Sequence, residues 1–157
     1  FHFNKNIWGG ILQDYEEELK KILQKITPNV DTYYGEFSSL NDIKIDHNKM
    51  PAIYVDFLGE NPINSYQQKL TFSLYLVAAS FSKNEKTRDE KRYSIYSLIQ
   101  EVNKALHLKP ILESEPIVLK SSKKILDAKA QNAYLVIFQK NIEFNIETSF
   151  SQGETFE

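Results

Sequence analysis

Cysteine is absent from these 157 residues, which excludes disulfides and thiolate metal sites. No Asn-x-Ser/Thr sequon occurs. Both absences suit a product made in the cytoplasm by a bacterium or a virus. An excess of charge of one sign is also missing. With 19 basic and 21 acidic residues the net charge is -2, so the balance gives no electrostatic reason to expect specific nucleic acid as a partner. Long hydrophobic runs are absent too. The longest, Leu74 to Ala79, is strand-length, far short of the roughly 18 residues of a membrane span. The opening Phe1-His2-Phe3-Asn4-Lys5 is not a secretory core, and a start without Met is expected where a short leader or tag precedes it. Only five glycines occur, and they are scattered, so no phosphate-cradling loop can be drawn.

What is present is a core. Apolar residues make up 41% of the chain and aromatics 13%, a composition that folds. The length fits one domain, predicted over residues 1–157 with its core at about 7–147 and a frayed tail at 149–157. Ile7, Trp8, Ile11, Leu12, Tyr15, Leu19, Ile22, Leu23 and Ile26 recur at helical steps, with Glu and Lys between them. Gly9 and Gly10 weaken the first turn, and Thr27-Pro28 ends the helix. A short strand is expected at Asp31 to Phe37 and another at Ala52 to Leu58, followed by a loop at Glu60 to Ser65. The clearest strand runs from Tyr66 to Phe81. Its first half alternates between wet and apolar faces, and from Tyr75 onward both faces are apolar, so both should be covered.

Ser82-Lys83-Asn84-Glu85 reads as a capping box opening a second helix, with a stripe at Tyr93, Tyr96, Ile99, Val102 and Leu106 that Ile95 and Leu98 widen. Pro110 stops it. A short strand around Pro116 to Leu119, a polar loop at Ser121 to Lys124 and a last strand from Tyr134 to Ile146 complete the pattern. The order predicts the α+β class: a mostly antiparallel sheet with two helices packed on one face.

Chemistry is hard to find. His2, His47 and His107 stand alone, with no second imidazole or carboxylate at ligand spacing, so no metal is expected. His107 reads as a cation at a helix C-terminus. No Gly-x-Ser-x-Gly elbow supplies a nucleophile. Glu36 and Asp56 could suggest a nuclease-like pair, but the Glu-x-Lys continuation is missing, and outward-facing strand acids explain both. Lys120, Lys123 and Lys124 read as a solubilising loop. Tyr33, Tyr34, Tyr54, Tyr66, Tyr75 and Tyr134 fall on strands, where outward aromatics are more often interface residues than a cofactor box. Catalytic residues and cofactors are therefore both read as none.

The element order and several short motifs resemble the Mu-like prophage tail proteins related to phage tail terminators. An opening helix at Ile7 to Ile26 is followed by Tyr34-Gly35-Glu36-Phe37. Then comes Pro51-Ala52-Ile53-Tyr54-Val55-Asp56-Phe57-Leu58-Gly59. A long alternating strand, a helix with Arg88, Arg92, Tyr93 and Tyr96, and the strand Tyr134 to Ile146 complete the match. The resemblance implies a structural ring subunit, expected to be hexameric, that caps the tail tube and supports head joining. Its implied partners are further copies of itself, the tail tube and head–tail connector proteins, with no membrane. Its implied place is the host cytoplasm during assembly and then the virion tail. A ring needs two different patches that meet. The second face of Ala52 to Leu58 is too apolar for solvent, and the adjoining loop can reach a neighbour, so Tyr54, Leu58, Ile63 and Tyr66 are the expected subunit contact. The equal alternative is that Tyr54 and Leu58 cover a second, smaller core within the chain, since a one-residue slip in register would exchange the faces. The rival readings are a monomeric adaptor that binds a protein by its sheet edge and a small nucleic-acid-processing enzyme.

Overall fold

The computed structural model describes residues 10–39, 46–81, 84–130 and 133–147. The opening helix, α1, spans Gly10–Leu23 and buries Tyr15, Leu19 and Leu23, one apolar residue per turn. It starts at Gly10; Ile7 and Trp8 lie outside the described residues. At its end the buried Thr27 donates its hydroxyl to the Pro51 carbonyl (3.0 Å), and Asn29 donates to the same oxygen (3.2 Å). These bonds fix the helix exit to the strand that follows.

Strand β1 is only Val30–Thr32, shorter than the predicted Asp31 to Phe37, because Gly35 turns the chain with φ of 82°. Strand β2 is Ala52–Pro62 and β3 is Gln67–Ser80. Strand pairing therefore continues through most of the predicted loop. The register shifts between Phe57 and Gly59, and Gly59 takes the φ of 153° that a side chain would resist. Helix α2 is Glu85–Leu106, and the last two strands are β4, Val118–Lys129, and β5, Tyr134–Glu147.

The sheet order is β1-β2-β3-β5-β4. Every pairing is antiparallel except β1 with β2. Residues of both helices share one buried cluster with Ile53, Val55, Leu70, Phe72, Leu74, Leu76, Ile142 and Phe144. Leu23, Leu70, Phe72, Leu74 and Val102 are buried there, and Ile99 and Phe138 pack against it half-buried. The opposite sheet face carries a smaller cluster of Ala52, Val77, Ala79, Leu135 and Ile137, with Phe37, Tyr54 and Tyr75 against it. The two-sided apolar half of the long strand thus has both faces covered.

Three expectations need correction. The cap of α2 is Asn84, whose side chain accepts from the N–H groups of Lys86 and Thr87 (2.9 and 3.4 Å). Ser82 lies outside the described residues. The buried stripe of α2 is Ile95, Leu98, Val102 and Leu106, while Tyr93 and Tyr96 are exposed and meet edge-on at 5.9 Å. Helical spacing allows either stripe, and the position of the sheet selects this one. The segment Ser121 to Lys124 is not a loop but the middle of β4, a strand mostly exposed on both faces at the sheet edge.

Candidate functional site

Strand β2 and strand β3 form a hairpin whose turn is Ile63 to Tyr66. Asn64 holds the turn: its side-chain oxygen accepts from the N–H groups of Tyr66 (2.8 Å) and Gln67 (2.9 Å). Below the turn the carboxylate of Glu60 accepts from the buried Gln68 amide at 2.6 Å. The hairpin is therefore locally ordered, yet it exposes large apolar side chains. Leu58 is 49% exposed, Ile63 46% and Tyr66 73%. Leu58 stands at the bulge and the other two in the turn.

Tyr54, the fourth residue expected at the contact, sits elsewhere. It points to the opposite sheet face and meets Phe37 edge-on at 5.2 Å. Tyr33 stacks on Tyr75 at 4.3 Å, and Phe37 lies 5.7 Å from Tyr33. These four rings lid the second cluster, Tyr33 and Phe37 from the loop after β1 and Tyr54 and Tyr75 from β2 and β3. Burial, then the charges of Glu36 and Asp31, push the Tyr54 phenol upward; burial and the neighbouring Tyr33 do the same for Tyr75. Both stay protonated at neutral pH, so the group packs rather than reacts. Alternation carries Tyr54 and Tyr75 into this cluster. Tyr34 and Tyr66 are the strand-region tyrosines left most exposed.

The most convergent polar group joins α2 to the last two strands. The Arg92 guanidinium donates to Asp127 (3.0 Å) and to the Tyr134 hydroxyl (3.2 Å). Lys124 donates to the other Asp127 oxygen at 2.8 Å, and Tyr134 donates a short bond to Asp127. Arg88 lies over the Tyr134 ring, 5.2 Å from its centre. Burial works to raise the Asp127 carboxyl, but the bonds from Lys124 and Tyr134 and the charge of Arg92 outweigh it and hold it low. The bond to Asp127, and then burial, raise the Tyr134 phenol. An ionised acid, a cation and a phenol held this way bind one another. None is poised to exchange a proton near pH 7. Arg88 and Arg92 thus fasten the helix to the sheet, a role that sequence could not reveal without the position of Asp127.

The remaining candidates do not converge. His107 ends α2, its N–H bonded to the Asn103 carbonyl. His2 and the side chain of His47 lie outside the described residues. Asp56 is half-buried in β2, and burial raises its carboxyl. Glu36 is exposed in the turn after β1 and accepts from the Tyr34 N–H at 2.6 Å. Among the described residues no three His, Asp or Glu side chains are placed to hold one metal ion. A cleft of about 450 Å³ lies between Met50, Pro51, Ala79, Phe81, Lys91 and Ser94. A second, of about 300 Å³, is lined by Ile11, Tyr15 and Leu112 with Asp14, Glu113 and Glu147. In the first, the Ser94 hydroxyl donates to the Lys91 backbone carbonyl (2.7 Å).

The sequence model of the family described as Bacteriophage Mu, Gp37 matches residues 12–149. The chain belongs to this family. The match takes in both helices and all five strands, α1 from its third residue onward. No curated protein matches the chain. Membership in the Gp37 family makes this a phage protein, as the motifs from Tyr34 to Ile146 imply. Among the described residues no helix is long and apolar enough to cross a membrane.

Proposed function

We propose that the chain is a structural subunit of the phage tail. In this reading it assembles as a ring with further copies of itself, caps the tail tube and offers a surface for the head–tail connector. The family match over nearly the whole chain carries this reading. The hairpin supports it. A single apolar side chain on a surface is unremarkable, but Leu58, Ile63 and Tyr66 share one ordered projection. Such side chains suit a protein contact better than solvent. Tyr54 contributes from behind, by bracing the sheet through Phe37.

The test uses the purified chain with its cognate tail tube, viewed by negative-stain electron microscopy. A cap of extra density should appear at one tube end. The Ile63→Lys/Tyr66→Lys variant, folded by circular dichroism, should leave the ends bare. Bare ends with the unaltered chain would sink the capping role. Caps that survive the double substitution would remove the hairpin from the contact and leave the role standing.

A further inference from the structure

Strand β4 has a neighbour on one side only. It pairs with β5, and among the described residues no strand meets its outer edge. Nearly every residue from Val118 to Ile125 is exposed, including Val118 at 44% and Ile125 at 40%. Its twelve residues hold four lysines, Lys120, Lys123, Lys124 and Lys129, against the single acid Asp127. Lys120 is engaged by Glu143 (2.7 Å) and Lys124 by Asp127 (2.8 Å). Lys123 and Lys129 have no ion-pair partner among the described residues.

The opposite side of the sheet has the opposite charge. Strand β1 covers only Ile53 to Val55 of β2, so from Asp56 onward no strand among the described residues meets that edge of β2. That stretch carries Asp56 and Glu60 and no base. Beside it lie the exposed Asp31 of β1 and the exposed Glu36. Helix α1, tied to β1 through Glu16, Lys20 and Thr32, adds Asp14 and Glu17, with Glu18 paired to Lys21 at 3.7 Å. Lys49 shares a groove with Asp31, so the acids of this side outnumber the bases Lys20, Lys21 and Lys49. The molecule therefore presents a basic edge and an acidic edge at the two ends of one strand order.

We propose that the β4 edge of one copy docks on the acidic β1–β2 edge of a second copy, so that subunits join head to tail. This inference rests on the ring reading and names its surfaces. Two β4 edges cannot meet, because lysine would face lysine. Two acidic edges repel for the same reason. Only unlike edges attract, and a contact between unlike patches propagates around a ring. Val118 and Ile125 on one edge and Leu58 on the other supply the apolar part of the contact. The bulges after Leu119, Lys124 and Phe57 interrupt each backbone ladder, so side chains rather than a continued sheet make the joint.

Two charge-reversal variants test it: Lys123→Glu/Lys129→Glu, and Asp31→Lys/Glu36→Lys. Mass is measured by light scattering in low salt, alone and with the cognate tail tube, with circular dichroism confirming the fold. The unaltered chain should give a multiple of 18.3 kDa. Each variant alone should fall to the mass of one chain. An equimolar mixture should assemble again, since each reversed edge now matches the other variant's intact edge. Raising salt should weaken assembly of the unaltered chain, as screening shortens from roughly 10 Å at 0.1 M to 3 Å at 1 M. If a reversal variant misfolds, Lys123→Gln/Lys129→Gln replaces it, and a flatter salt dependence is the expected result. Variants that assemble like the unaltered chain, or a mixture that stays monomeric while that chain assembles, overturn the edge pairing alone. A chain that stays monomeric even with the tube overturns the ring and the pairing together.

Discussion

Replacing Lys140 with Met should stabilise the protein. Lys140 is 3% exposed and lies on the face of β5 that carries Phe138, Ile142 and Phe144. Its cross-strand neighbours are Leu74 and Ser122. Its ammonium makes one hydrogen bond, to the Ser122 hydroxyl at 3.0 Å, and no ion pair among the described residues. Burial pushes its pKa down. The folded-state value lies below the unfolded one, so the unfolded chain holds more protons between the two. Stability therefore rises as pH climbs through the folded pKa towards the unfolded one, and the full penalty acts below it. Exchanging a buried charge for an apolar side chain of similar volume commonly gains about 1–4 kcal/mol. The lost hydrogen bond takes back about 1 kcal/mol, and the exposed Ser122 can turn to water. A net gain of about 0–3 kcal/mol at pH 7 follows, or up to roughly 12 °C in Tm for a chain of this size. Urea titration at pH 7 and near pH 10 reads both parts, and the gain should shrink at the higher pH as the unaltered lysine loses its proton. A Lys140→Met variant that loses more than about 1 kcal/mol at pH 7 would refute the reasoning.

Two further substitutions probe the core and the clamp. Phe72 is fully buried, stacked at 5.9 Å on Phe144 and 5.2 Å from Phe57, so Phe72→Ala should cost about 3–5 kcal/mol in denaturant titration. A loss below about 1 kcal/mol would mean that this face is not the core. Asp127→Asn should cost about 1 kcal/mol at neutral pH and flatten the acid limb of the stability curve. Because the folded carboxyl is held low, its contribution is present above the unfolded pKa and fades as pH falls through the folded value. An acid limb unchanged by the substitution would show that Asp127 is not held low.

The fold was legible where burial leaves a period. Leu70, Phe72, Leu74 and Leu76 alternate because one face meets the helices, and the run from Tyr75 to Ala79 turns two-sided because the aromatic lid covers the other face. Strand β4 leaves no such period. Among the described residues it has one neighbouring strand and little covers its faces, so Ser121 to Lys124 look like a loop in any window. The end of β2 misleads in another way. Gly59 and Pro62 are turn residues by habit, but Gly59 serves a bulge and Pro62 closes the strand on an open edge, where its missing N–H costs nothing. Of the expected contact, Leu58, Ile63 and Tyr66 could be read from the sequence as large apolar residues beside a turn. Tyr54 could not be separated from them without knowing that Phe37 returns to meet it.

The position of β4 raises a question that its sequence alone cannot: what keeps such a strand in place. Leu119 and Leu126 are only half-buried, so the core holds it weakly. Backbone pairing with β5 from Val118 to Lys129 holds it, and ion pairs add to this near both ends. Towards its start, Lys120 meets Glu143 of β5, which Lys69 of β3 also reaches at 3.5 Å. Towards its end, Asp127 meets Arg92 of α2. Each pair is partly shielded on its acid side, where the carboxylate is under a fifth exposed, so it keeps more strength than a fully solvated bridge. Between the clamps Ser122 accepts from the buried Lys140 and Lys124 meets Asp127, while Lys123 has no ion-pair partner among the described residues. An edge that served only to end the sheet would not need its ends tied to a helix and to two strands. In the edge pairing proposed above, ordering the strand beforehand lowers the entropy lost when the copies meet.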